Sequence, residues 1–242
     1  MKSKAILLLA MVVLFVVMVD AQATTVFFDD FESDTTGTFP SKWTIYSKYP
    51  DEINADAVVV DRTTAPEVVY EGNKSVRINF YGGSGSGIKT TFEPVTQGVV
   101  TFFCMIESLS DDLQIMGLHN FSNTELDGSQ LITISAQIFS NGWEYSVAGK
   151  SLGIPVAYRE YERFDFYFDT DLDVATLYIN NQITRVVNFP FENPSDGITT
   201  LRSADDSGPG SAQWCLDKVI VTPEPATLLL LVLGAVLLHK RC

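Results

Sequence analysis

Acid–base cleavage of a glycosidic bond needs two carboxyl groups about 5 to 9.5 Å apart with separated pKa values. Glu160-Tyr161-Glu162 and Asp169-Thr170-Asp171 set acids at i and i+2, the spacing that puts both on one face of a strand. The first reads as a solvated loop and the second as a hairpin turn, so no catalytic residue is assigned. His119 is the sole histidine outside the C-terminal tail, and no G-x-S-x-G surrounds any serine. A Ser-His-Asp triad and a multi-histidine metal site therefore lack their parts. Asp169, Asp171 and Asp173 resemble the start of an oxygen-ligand loop and are the candidate metal ligands, with Ca²⁺ as the ion. They lack the Gly at the sixth place and the Glu at the twelfth that an EF-hand requires, and a solvated acidic turn has the same composition. Four aromatics with polar tips, Trp143, Tyr145, Tyr158 and Tyr161, are the candidates for stacking on sugar rings, although each also suits core or rim packing. The Gly82 to Gly87 run precedes the strand-like Ile88-Lys89-Thr90-Thr91-Phe92 rather than a helix, so it is a loop between strands and no phosphate cradle.

The ends of the chain carry a different kind of information. Lys2 and Lys4 precede an apolar stretch from Ala5 to Val19, and Ala21-Gln22-Ala23 is an A-x-A cleavage site. Fifteen apolar residues are short for a stable span of about 20. The pattern is that of a signal peptide, residues 1–23, cut by signal peptidase after Ala23. No cysteine follows the apolar stretch, which excludes a lipoprotein. At the other end, Pro223-Glu224-Pro225 is followed by an apolar run, Leu228 to Leu238, and by Lys240-Arg241. The prolines oppose strand pairing and helix continuation and leave an extended peptide open to a protease. The apolar run would insert transiently in the inner membrane as a helix, with the basic residues on the cytoplasmic side.

This three-part ending, residues 223–242, resembles the PEP-CTERM sorting signal of Gram-negative bacteria. The resemblance implies processing by an exosortase at Pro223, Glu224 and Pro225, with Lys240 and Arg241 as the basic stop. It also implies export through the inner membrane to the cell surface, the outer membrane or the extracellular matrix.

Between the two signals lie residues 24–222. The whole chain of 242 residues carries 16 Lys plus Arg and 30 Asp plus Glu, a formal charge of −14. Removing Lys2, Lys4, Asp20, Glu224, Lys240 and Arg241 leaves 12 cations and 28 anions, a net charge of −16. An acidic surface repels nucleic acid, whose phosphates require Lys and Arg to displace counterions. About 200 residues without a Pro/Gly/Ser linker make one domain with a sizeable core. Cys104 and Cys215 are an even pair in an exported protein, and a disulfide between them is expected in an oxidising compartment. Closing a loop of about 110 residues would add roughly 4 to 5 kcal/mol in the chain-entropy model.

The elements that must position these residues read as strands. Val76, Ile78 and Phe80 alternate with Arg77 and Asn79; Ile132, Ile134, Ala136 and Ile138 alternate with Thr133, Ser135 and Gln137. Phe164, Phe166 and Phe168, then Ala175, Leu177 and Ile179, repeat the pattern. Period two with one wet face predicts antiparallel sheets packed on one side. Val58 to Val60, Val99 to Ile106 and Lys218 to Val221 are denser and predict burial on both faces. Turn residues such as Asn141-Gly142 separate about a dozen strands, and no 3.6 period occurs. The fold class is all-β, a two-sheet antiparallel sandwich.

The order of these pieces adds to the pattern. Phe27-Phe28-Asp29-Asp30-Phe31-Glu32 opens the domain, Pro40-Ser41-Lys42-Trp43 and Gly72-Asn73-Lys74-Ser75-Val76-Arg77 follow, Asp169 to Asp173 leads into Leu177-Tyr178-Ile179-Asn180-Asn181, and Leu216 to Val221 closes it. This order is similar to that of concanavalin A-like (laminin G-type) jelly rolls, with Asn181 where the family has Gly. The resemblance implies a jelly-roll sandwich flanked by the N-terminal signal helix and the C-terminal hydrophobic helix, often with one Ca²⁺ at the rim. By analogy, Asp29, Asp30 and Asp217 sit where related folds place cation-neutralised carboxylates. Glucanases on this fold carry E-x-D-x-x-E on one strand, and that string is absent. The expected function is a non-catalytic surface or matrix protein that binds an exopolysaccharide or another envelope glycan. The alternative is a glycan-cleaving enzyme, a glycoside hydrolase or polysaccharide lyase, on the same fold.

Overall fold

The structure is a computed structural model and describes residues 25–47, 55–81, 86–110, 112–120, 129–172, 174–180, 182–185, 197–205 and 210–224. Ala23 with the signal segment, Asp173, and Pro225, Lys240 and Arg241 with the tail lie outside the described residues, as do both expected flanking helices. Among the described residues no helix is long and apolar enough to cross a membrane.

Fifteen strands follow one another among the described residues: β1 (Phe27–Asp29), β2 (Thr44–Ser47), β3 (Ala55–Asp61), β4 (Lys74–Phe80), β5 (Ser86–Val95), β6 (Gln97–Leu109), β7 (Leu113–Asn120), β8 (Ser129–Phe139), β9 (Gly142–Val147), β10 (Lys150–Pro155), β11 (Tyr161–Asp169), β12 (Val174–Ile179), β13 (Gln182–Arg185), β14 (Ile198–Asp205) and β15 (Ala212–Pro223). They form two antiparallel sheets. The first runs β13-β12-β11-β6-β15-β4-β3, with β1 beside β15; the second runs β10-β9-β8-β7-β14-β5-β2. The connections between sequential strands are hairpins where the turn chemistry allows. Ser140-Asn141 joins β8 to β9 with Gly142 at φ +113, a backbone angle that favours glycine.

Alternation in the sequence becomes burial because each sheet packs one face on the other. Val76, Ile78 and Phe80 of β4 are buried in the core with Phe164, Phe166 and Phe168 of β11 and Ala175, Leu177 and Ile179 of β12. Phe102 of β6 stacks on Phe164 with ring centroids 4.9 Å apart. Two polar ties cross the core between the sheets. Trp214 of β15 donates from Nε1 to Ser203 Oγ of β14 at 2.9 Å, and Tyr145 of β9 donates its hydroxyl to Glu162 of β11. A buried donor left unpaired would cost about 1–3 kcal/mol, so these ties fix which strands face each other.

Several expectations change in three dimensions. Ile138 continues the apolar phase of β8 but is 65 % exposed, because it lies near the strand's end beyond the packed area. Burial on both faces holds for Phe102 to Ile106, whereas Val58, Val60 and Val99 are half-buried. The closing strand is not regular: Asp217 opposes Phe103 while Ile220 opposes Thr101, so β15 carries one extra residue there, and Lys218 sits at φ +48. This bulge keeps both Leu216 and Val219 in the core and turns Asp217 to the outer face.

The expected disulfide is a further correction. Cys215 pairs with Met105 and Cys104 with Leu216, so the two cysteines occupy opposite phases of adjacent strands. Cys104 belongs to the main core, while Cys215 packs with Ala65, Val68 and Met105 on the other face of the sheet. Neighbours on opposite faces of a pleated sheet cannot bring their sulfurs together, and both remain free, buried thiols.

Candidate functional site

The candidate sugar-stacking aromatics are not assembled into one platform. Tyr145 is buried between the sheets against Glu162, and Trp143 is half-buried against the same core. Tyr161 stands on the outer face of the first sheet with its hydroxyl donating to Val68 O at 2.7 Å. Tyr158 alone is well exposed, at 41 %, in a bridge to Ile106. Glu162, expected in a solvated loop, is a buried strand residue on β11 that accepts from Tyr145 and is held by Asn180. Its carboxyl is raised above the usual range, by burial first, because a buried carboxylate loses its hydration. The charge of Glu160, two residues earlier in the chain, raises it further.

Of the candidate cation ligands in the acidic turn, Asp173 lies outside the described residues. Asp169 accepts from Gln97 Nε2 at 2.9 Å and from Leu172 N at 2.8 Å, closing the β11–β12 hairpin, and Asp171 is exposed. The opening and closing acids are similarly occupied. Asp29 is buried and accepts from Trp43 Nε1 at 2.9 Å, from Lys42 and from Phe31 N. Asp30 accepts from Glu32 N. A small cavity of about 180 Å³, lined by Phe28, Asp30, Glu32, Glu71, Gly72, Asp217 and Lys218, gathers the rest. There Asp217 accepts from the amides of Tyr70 and Glu71 at 3.0 and 3.1 Å, Glu32 accepts from the amides of Asn73 and Lys74, and Glu71 pairs with Lys218 at 2.7 Å. Gly72 is needed because a Cβ would collide with the Glu32 carboxyl. These acids clasp the 69–74 loop onto the sheet. Among the described residues no group of three His, Cys, Asp or Glu is arranged to hold a metal ion.

The unexpected chemistry lies on the outer face of the second sheet. Thr44 (β2), Lys89 (β5), Arg202 (β14), Gly117 (β7) and Thr133 (β8) stand in one cross-strand row, and Thr91, Thr200 and His119 stand in the next. The apolar alternates of the same strands, Ile88, Leu201, Leu118 and Ile132, are in the core. An outward row is normally solvated, yet Gln114, His119, Thr200 and Arg202 are all buried. Buried polar groups are informative, since each must be held by partners.

Arg202 is the centre. Its Nε donates to Gln114 Oε1 at 3.1 Å, Nη2 reaches the same oxygen, and Nη1 donates to the Tyr46 hydroxyl at 2.8 Å. The guanidinium also lies over the Tyr46 ring, 4.5 Å from its centroid. With Oε1 turned to Arg202, the Gln114 amide nitrogen faces His119 Nε2 at 3.4 Å. An amide nitrogen only donates, so the network assigns His119 Nε2 as acceptor and the ring as neutral. Burial, with Arg202 and Lys89 nearby, pushes the His119 pKa well below its ordinary value, in agreement with that tautomer. Gly117 leaves the space these side chains fill: a Cβ there would meet Gln114 and His119. Tyr46, Gln114, His119 and Arg202 thus bond to one another beneath the surface, while Thr44 and Thr91 of the same rows are exposed. The sequence singles out His119 but neither Arg202 nor Gln114. Their signal was the polar phase of two alternating strands, whose adjacency only the sheet order reveals.

No family model matches the chain, and no curated protein sequence does. Solved structures share the fold. A sialidase superimposes with a TM-score of 0.60 at 11 % identity over 84 % of this chain, which spans only 19 % of that protein's length. Domain 4 of AbnA, an extracellular GH43 arabinanase from Geobacillus stearothermophilus, in complex with arabinotriose, superimposes with a TM-score of 0.53 at 12 % identity, covering 84 % of this chain and 93 % of that domain. At such identity the likeness is one of fold: a two-sheet sandwich of the kind found in these proteins.

Proposed function

We propose that this chain is an exported, non-catalytic glycan-binding protein with a concanavalin A-like jelly roll, whose ligand lies across the outer face of the second sheet. The observation that carries the reading is a sheet face whose rows are polar from β2 to β8, exposed at Thr44 and Thr91 and held from beneath by the buried Tyr46–Arg202–Gln114–His119 network. A sheet face needed only for packing would be apolar, and one needed only for solubility would be exposed. The arabinotriose bound to the similar arabinanase domain supports a saccharide as the class of ligand. The terminal signals place the protein, on this reading, at the cell surface or in an extracellular matrix after cleavage by signal peptidase and an exosortase.

Two experiments test it. Against a glycan array, the protein is expected to bind a subset of polysaccharides, and Arg202→Gln with Lys89→Ala is expected to weaken that binding at least tenfold. Release of reducing ends or unsaturated sugars from a bound polysaccharide would replace the binding module by the glycan-cleaving alternative. Intact-mass analysis of protein recovered from the surface of an exosortase-bearing host is expected to show an N-terminus at Thr24 and loss of the segment after Pro223 to Pro225; persistence of the apolar tail would overturn the sorting reading.

A further inference from the structure

The closing strand carries on into the Pro-Glu-Pro motif. Prolines oppose strand pairing, yet Pro223 is the last residue of β15 and stands opposite Gly98 of β6. Thr222 stands opposite Val99, and beyond the strand the Glu224 amide donates to Gln97 O at 2.9 Å. Backbone groups of successive residues point to opposite edges of a strand. Those of Thr222 and Glu224 therefore face β6, and the nitrogen of Pro223 faces the far edge. On that edge β1 begins at Phe27, opposite Val221, and Val26 N donates to Val221 O at 3.0 Å. Pro223 thus lacks its N–H where β1 offers no partner, and the sheet continues through it. The expected open peptide does not start at Pro223.

Close packing secures this end of the strand. A Cβ on Gly98 would lie 2.5 Å from Thr222 O and 3.1 Å from Pro223 Cα, so only a residue without a side chain lets the two backbones meet here. Val221 is buried in the core and paired on both sides, with Val100 of β6 and Phe27 of β1. Thr222, Pro223 and Glu224 pair on one side only, with β6. Thr222 and Pro223 are half-buried, and Glu224 is exposed. A protease binds its substrate as an extended chain with free backbone groups, so a segment already paired in a sheet is withheld from it.

We propose that the fold gates cleavage at the Pro-Glu-Pro motif: the end of β15 is zipped to β6, and a protease gains the segment only when Thr222 to Glu224 peel away from Gln97, Gly98 and Val99. The inference rests on the sorting reading above and adds the regulation of that cleavage. Peeling stops at Val221, which β1 holds from the other side and the core holds by its side chain. Opening is thus a local event that leaves the sandwich intact. Cleavage then follows the population of the opened strand end and not global unfolding. A chain in which β6 and β15 have not yet paired exposes the same segment, so the gate closes only once the first sheet is complete.

Pulse-chase conversion of the full-length chain in an exosortase-bearing host tests the gate. Gly98→Ala sets a methyl group against Thr222 O and is expected to loosen the strand end and speed conversion about tenfold. Val99→Cys with Thr222→Cys places two thiols directly opposite each other, and the disulfide is expected to slow conversion about tenfold. Dithiothreitol is expected to restore that variant to the native rate and to leave the native chain unchanged. Amide hydrogen exchange of the full-length chain in detergent micelles gives a readout independent of the protease. The Glu224 amide is expected to be protected in the native chain and to exchange faster in Gly98→Ala. Equal conversion of all three chains, the native chain being cut, overturns the gate and leaves the sorting reading standing. A Glu224 amide that exchanges as in an unstructured peptide also overturns the gate. Where Gly98→Ala loses its β-sheet circular dichroism, the cysteine pair decides: slowing reversed by dithiothreitol supports the gate, and a native rate in the oxidised pair overturns it. No conversion of the native chain or of Gly98→Ala overturns the sorting reading and the gate with it.

Discussion

Arg202 is the residue on which the second sheet's outer face turns, because three of its nitrogens are committed to Gln114 and Tyr46 and its plane to the Tyr46 ring. A lysine cannot reproduce that fork. Arg202→Lys is therefore expected to lose about 2–4 kcal/mol, which in a domain of this size lowers Tm by roughly 5–10 °C in a thermal melt; an unchanged Tm would show that the network contributes no stability. The neutral state of His119 makes a second residue-level prediction. Its folded pKa is depressed, so its contribution to stability is present above the unfolded value of about 6.5 and is lost as pH falls toward the folded value. Imidazole proton resonances of His119 are expected to hold their neutral shifts at pH 6, and a midpoint near 6.5 would contradict the lowered pKa.

At the scale of elements, the 69–74 loop is joined to the bulge of β15 by Asp217, whose carboxyl burial pushes up to about 7 against the hydrogen bonds from Glu71 and Tyr70. For an acid with a raised folded pKa the folded state binds more protons than the unfolded one between about 4 and 7. Its charged form thus opposes folding, and stability contributed at this site rises as pH falls from 8 to 4. The full shift corresponds to on the order of 4 kcal/mol. Asp217→Asn keeps an oxygen for the two amides and removes the charge. Urea unfolding across pH 4 to 8 is expected to show the native chain losing stability relative to this variant as pH rises, and parallel profiles would place Asp217 in solvent.

For the whole molecule, stability rests on the inner faces of the two sheets and not on a covalent cross-link. Phe164→Ala would open a cavity beside Phe102 and Tyr145, and a loss of about 3–5 kcal/mol is expected in denaturant titrations. Cys104 and Cys215 are buried, and desolvation raises both thiols. The native protein is expected to resist alkylation at both, to release both on unfolding without reductant, and to melt at the same temperature with or without dithiothreitol. Non-reducing peptide mapping that linked Cys104 to Cys215 would require a different register between β6 and β15.

The strands of the core are legible in the residue pattern: the period-two runs of Val76 to Phe80, Ile132 to Ala136, Phe164 to Phe168 and Ala175 to Ile179 encode one buried face each, and two sheets packed together follow from them. It also carried the hairpin at Asn141-Gly142 and the acidic turn after Phe168, because local backbone chemistry sets such turns. The tertiary structure alone decided what meets across strands. A one-residue offset in register sent Cys104 and Cys215 to opposite faces, and the sheet order β7-β14-β5-β2 gathered Gln114, His119, Arg202 and Tyr46 from four separate parts of the chain. Glu162 and Tyr145 went inward because each found the other across the sandwich. Alternation fixes the side of a strand on which a residue lies; its neighbour on that side depends on long-range pairing, which no local pattern specifies.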